Sequence, residues 1–190
     1  LSILPNTPHG TETAERARKL GFEVMLHMPM ENMDPSLYPH EGQLMIAMSE
    51  TEIANLTRSA IAQIPGAVGV NNHMGSKFTS DPAAMSRFAD AIRDTKLFFV
   101  DSRTIAESRG LEIAKAFGIP SASRDLFLDN DDDPEVIRQR FEQVIDIANE
   151  KGSAIAIIHF RPHSAPVLAE MIPIIEAAGI RIVHASELVE

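Results

Sequence analysis

The chain has no cysteine, which excludes disulfides, thiolate catalysis and cysteine-bound zinc. That absence suits the cytoplasm and an envelope compartment equally. Basic residues are in deficit: 17 Lys and Arg stand against 27 Asp and Glu, for a net charge of -10. A nucleic-acid partner needs a basic face that releases counterions, and an anionic lipid surface needs a polybasic patch. Neither is present, so no nucleic-acid partner is expected. No apolar run reaches the roughly 18 residues of a membrane helix, so no transmembrane segment is expected either. No signal peptide is visible. The sequence opens at Leu1 without an initiator methionine, so that silence says little about location. There is no Gly-rich phosphate loop, no dinucleotide fingerprint and no Gly-x-Ser-x-Gly elbow. Internal repeats and low-complexity tracts are missing too.

What remains is an ordinary globular composition, 44% hydrophobic and 23% charged over 190 residues, enough for a single domain with a sizeable core. Punctuation residues divide it. Ser49 and Glu52 form a capping box that opens a helix to about Ile64. Asp81-Pro82 and Asp133-Pro134 pair an N-cap with proline in the first turn. Gly21, Gly118 and Gly179 follow three helical segments, where a left-handed C-cap belongs. Between the helices lie short apolar runs, read as strands at 1–4, 22–27, 67–70, 97–100, 154–158 and 180–183, with a strand pair around 119–121 and 126–128. Several are continuous rather than alternating, as in strands covered on both faces. The class is therefore α/β with parallel strands, as a barrel or an open sheet. Residues 28–44 form a long irregular stretch, long enough to be a functional loop.

The polar residues are placed informatively. His27, Asn71-Asn72-His73, Asp101 and His159 each end a predicted strand. Parallel strands gather their C-terminal ends at one face, where ligands bind in α/β folds. Imidazoles and a carboxylate suit a divalent metal that polarises a carbonyl, and a further histidine suits proton donation. Gly75 permits close approach of the backbone in the loop after His73. His9, His40 and His184 read as surface or strand-end residues without a role. His163 and Arg161 are candidates to line a pocket. The acidic run 129–133 reads mainly as helix capping, and Arg124-Asp125 as a buried pair or a site element.

These segments resemble a known family. "GFEVMLH" (21–27), "VDS" (100–102), "GSAIAIIH" (152–159) and the closing "SEL" (186–188) resemble motifs of NodB-type polysaccharide deacetylases. "LHMPME" (26–31), "NNHMGSKFT" (71–79), "RDLFLDND" (124–131) and "HASEL" (184–188) resemble the divergent, YibQ-like branch of that superfamily. The resemblance covers the whole chain. It implies a distorted (β/α) barrel of about seven parallel strands, a divalent metal, usually zinc, and hydrolysis of acetyl groups on a carbohydrate substrate. It implies His27 as a metal ligand, with His73 and Glu31 as further ligands. It implies His159 as proton donor, with Asp101 to orient it, and Asn71, Asn72 and Arg161 as substrate contacts. The superfamily's Asp-Asp pair would precede Leu1, so a first strand-helix unit of roughly 30 residues is expected in front. The alternative is a non-catalytic carbohydrate-binding or cell-envelope protein on the same barrel. Family habit points to the periplasm or envelope; no oligomeric state follows.

Overall fold

The structure, a computed structural model, describes residues 1–37 and 40–190. Its contacts divide the chain into two compact units, Leu1–Ser123 with Val189–Glu190, and Arg124–Leu188.

The first unit is a five-stranded parallel sheet in the order β1-β2-β3-β4-β5. Its strands are β1 (Ser2–Ile3), β2 (Met25–Met30), β3 (Gly69–Met74), β4 (Phe98–Asp101) and β5 (Ser121–Ser123). Helices α1 (Gly10–Lys19), α2 (Glu50–Gln63), α3 (Ser76–Ser80), α4 (Pro82–Ile92) and α5 (Gly110–Ala116) connect them. The core is built from strand residues such as Leu26, Met28, Val70 and Phe99, packed with Ile53, Met85 and Phe88 from the helices. Every residue of β4 is buried, as its unbroken Phe-Phe-Val run foretells. Local signals hold: Ser49 makes the full capping box and Asp81 caps α4 through the Ala84 N–H.

Two local expectations need correction. The third strand does not stop at Val70. It carries Asn71, Asn72 and His73 within it, because His27, Met28 and Pro29 of β2 pair with them in register. The residues expected around 119–121 and 126–128 do not pair with each other; β5 adds to β4 instead. The irregular loop expected over 28–44 begins after β2, and its Tyr38 and Pro39 lie outside the described residues.

The second unit holds β6 (Leu126–Phe127) and β7 (Ala156–Ile157), a two-stranded parallel pair, with helices α6 (Pro134–Lys151) and α7 (Ser164–Ala177). Asp133 caps α6 by accepting from the Glu135 and Val136 N–H groups. The core joins Leu128, Ile137, Phe141, Val167, Met171 and Ile175. Residues 180–183, expected as a strand, are not one. A strand exists only through ladder hydrogen bonds, and among the described residues none pairs with this segment. Its side chains line a cavity of about 500 Å³ against α6 and α7. No helix among the described residues is long and apolar enough to cross a membrane.

Candidate active site

In the first unit the polar residues converge through register. His27 pairs with Asn71, and alternation puts His73, two residues on, on the same sheet face. His27 Nδ1 lies 2.9 Å from Asn71 Oδ1. His27 Nε2 lies 3.0 Å from His73 Nδ1, and the rings meet edge to face at 4.8 Å. His73 Nε2 lies 2.9 Å from Nε2 of His40. His40 was expected to have no role; it sits in the loop after β2, beyond the reach of local pattern reading.

Glu31 is nine-tenths buried, and its carboxylate is already engaged. It accepts from Lys77 Nζ at 2.6 Å and from the Ile46 N–H at 2.8 Å. It therefore ties the loop after β2 to α3. Glutamine keeps one oxygen acceptor, so either the Lys77 ammonium or the Ile46 N–H loses its partner. We expect Glu31→Gln to lower stability by about 1.5–3 kcal/mol, measured by urea unfolding, and to leave zinc content unchanged.

Asn72 is buried, donating to the Met74 carbonyl at 2.7 Å and accepting from the Ser102 N–H at 2.8 Å. Gly75 has φ +89°, and a Cβ there would stand 2.9 Å from Met30 Cβ. The turn that follows His73 thus requires glycine. Asp101 is buried and holds its own loop: it accepts from the Arg103 N–H at 2.8 Å, the Ser108 hydroxyl at 2.7 Å and the Leu111 N–H at 3.2 Å.

The carboxylate that orients His159 is Asp129, in place of the expected Asp101. The register that pairs Leu126 with Ala156 and Phe127 with Ile157, carried past the strand ends, brings Asp129 beside His159. Asp129 is fully buried. It accepts from His159 Nδ1 at 2.8 Å, the His159 backbone N–H at 2.7 Å and the Ser164 hydroxyl at 2.8 Å. Burial pushes its pKa up, but the hydrogen bonds from His159 and Ser164 outweigh it, and the carboxyl lies below the ordinary aspartate value. His159 keeps 40% of its side chain exposed and stacks on Phe127, with ring centres 5.8 Å apart. Arg161 Nε stands 3.9 Å from Asp129. Arg124 and Asp125 have separate partners: Arg124 lies 3.8 Å over the Phe127 ring, and Asp125 accepts from Lys151 at 2.7 Å. His163 Nδ1 lies 2.8 Å from the Asp132 carbonyl. Asp129 was hidden in the sequence because its acidic neighbours resemble a helix cap; its place at a strand end was the available signal.

Of the three residues expected to ligate a divalent ion, the structure brings His27 and His73 together and engages Glu31 elsewhere. His27 and His73 present imidazole nitrogens to each other, and the other His27 nitrogen faces an amide oxygen, the usual support for a ligating histidine. Glu31 is held by Lys77. Among the described residues, no three His, Asp or Glu side chains are grouped to hold a metal.

The divergent polysaccharide deacetylase family matches over residues 1–189. The uncharacterized protein YibQ of Escherichia coli K12 is 39% identical over 173 residues, covering 90% of this chain and 54% of that protein. An uncharacterized protein of Haemophilus influenzae Rd is 35% identical over 168 residues, covering 88% of this chain and 60% of its own length. The chain thus spans little more than half the length of these relatives. The crystal structure of the uncharacterized protein ATU2773 from Agrobacterium tumefaciens C58 superposes with a TM-score of 0.95 at 25% identity, over the whole of this chain and 77% of that one. Sequence motifs, fold and relatives agree, and the chain belongs to the divergent polysaccharide deacetylase family.

Proposed function

We propose that the protein is a metal-dependent hydrolase that removes acetyl groups from a carbohydrate. The observation that carries this reading is the buried Asp129 carboxylate bonded to Nδ1 of a half-exposed His159. An ionised carboxylate only accepts, so His159 Nδ1 carries a proton and Nε2 is the exchanging nitrogen. Asp129 stabilises the imidazolium, and His159 gives its Nε2 proton to the departing amine or alkoxide. His27 and His73 are the residues that would hold a divalent ion, zinc by family habit. A divalent ion supplies Lewis acidity toward the acyl carbonyl and toward water. Arg161 is proposed as a substrate contact beside His159. Closure into a barrel of about seven strands, an upstream aspartate pair and an envelope location are further parts of the proposal, supported by the family and by the greater length of the relatives.

The test is elemental analysis and turnover. We expect stoichiometric zinc, and release of acetate from an acetylated glycan that stops with chelator. The measurement is made on this chain and on one extended upstream to the relatives' length. Glycan binding that persists with chelator, without acetate release by either chain, would replace the hydrolase with a carbohydrate-binding protein.

A further inference from the structure

A chain of hydrogen bonds in the first unit determines which nitrogen of His27 carries its proton. It starts at a group with no choice. The Asn72 carbonyl can only accept, so the Ser102 hydroxyl, 2.8 Å away, spends its one proton there. Ser102 itself is fixed, because its backbone N–H donates to Asn72 Oδ1 at 2.8 Å. The Asn71 amide atom 3.0 Å from the Ser102 oxygen must then be the donor, Nδ2. The other Asn71 atom is the oxygen. It accepts from the Ser2 hydroxyl at 2.8 Å, which agrees with this assignment. It also lies 2.9 Å from His27 Nδ1, so that nitrogen carries hydrogen. In the neutral ring Nε2 then bears the lone pair, and it faces His73.

We infer that Asn71, anchored by Ser102, is a positioning residue that holds His27 in its Nδ1–H tautomer and turns the Nε2 lone pair toward His73. Asn71 is 4% exposed. Its amide is committed to Ser2, His27 and Ser102, which departs from the substrate contact implied by resemblance. A free imidazole has no such constraint, and either nitrogen can bear the proton. The amide therefore removes an equilibrium that would otherwise hide the lone pair in part of the molecules. The assignment stands on hydrogen bonding alone. Its consequence for metal binding rests on the hydrolase reading above.

The test reads the tautomer directly. The chain is labelled with ¹⁵N-histidine, stripped with chelator and held at about pH 8.5, above the ordinary imidazole pKa of about 6.5. Long-range ¹H–¹⁵N spectra are recorded, with the His27 signals assigned through His27→Gln. In the unmodified chain His27 Nδ1 is protonated and Nε2 is bare. Asn71→Asp, which keeps an oxygen acceptor, retains that pattern. Asn71→Leu loses it, and the signals move to the Nε2–H form or to a mixture. Zinc affinity falls tenfold or more in Asn71→Leu and is maintained in Asn71→Asp. An Nε2–H tautomer in the unmodified chain overturns the inference, whether or not Asn71→Leu folds. So does an unaltered Nδ1–H tautomer in a folded Asn71→Leu protein. A chain that takes no zinc but has the Nδ1–H pattern defeats the hydrolase reading and leaves this assignment standing.

Discussion

For the proposed acetyl hydrolase, Asp129→Asn is expected to lower acetate release by about 10²–10⁴-fold with little change in KM. The His159 ring, the His159 backbone and the Ser164 hydroxyl all point at this one carboxylate. Asparagine offers one oxygen and one NH₂ in the same volume. If the oxygen faces the backbone N–H and the hydroxyl, the NH₂ faces His159 Nδ1 and forces the proton to Nε2. His159 then cannot be held as an imidazolium, and the proton donor is lost while the ground-state surface is kept. Asp129→Ala goes further and leaves buried donors unpaired. It costs about 3 kcal/mol in urea unfolding. The pH dependence follows from the depressed carboxyl. A group whose folded pKa lies below its unfolded value stabilises the fold above the unfolded value, about 3.9 for aspartate. That stability is lost as pH falls through the folded value. The acid limb of the unfolding curve below about pH 4 therefore flattens in Asp129→Asn. A kcat within threefold of the unmodified chain, with a folded protein, removes Asp129 from the mechanism.

On the same proposal, His73→Ala is expected to abolish zinc retention and, with it, at least 10²-fold of the hydrolysis. His73 lies between His27 and His40, its two ring nitrogens 3.0 and 2.9 Å from theirs, and His27 is braced in turn by Asn71. Removing it takes away the imidazole that joins His27 to His40, and with it one of the two ligands proposed for the ion. Stability changes little, because His73 is only partly buried and the strand ladder on either side is made by backbone. Elemental analysis after dialysis, beside Glu31→Gln as the comparison, reads the outcome. Equal zinc and equal turnover in His73→Ala and the unmodified chain show that the assignment is wrong. If Glu31→Gln is the variant that loses zinc, the ligand role moves to Glu31, and its bond to Lys77 becomes a feature of the metal-free state.

What was legible before the fold was known is what depends on neighbours in sequence. Ser49 and Glu52 are three residues apart, and the capping box they predict is formed. Asp81 and Asp133 cap the helices they precede. Gly75 occupies the left-handed position that its loop demands. The apolar runs pointed to parallel strands, and a parallel sheet is present. The family could be recognised because its motifs are short and contiguous.

Partnerships over long separations were out of reach. Asp129 meets His159 across 30 positions, Asn71 meets Ser102 across 31, and Lys77 meets Glu31 across 46. Asp133 announces its cap through the proline that follows it, but nothing local names His159 as the partner of Asp129. Residues 180–183 have a strand's composition, but a strand is completed by its neighbour, and no partner among the described residues pairs with it. The sequence by itself determined the starts of the helices that Ser49, Asp81 and Asp133 cap, the parallel α/β class and the residue types available for chemistry, because caps, turns and apolar periodicity act over a few residues. The tertiary structure alone decided which carboxylate serves His159, which carboxylate serves a lysine, and which nitrogen of His27 bears its proton. Those outcomes depend on hydrogen-bond partners brought within 3 Å by the register of adjacent strands and, for Lys77, by the placing of α3 beside the end of β2.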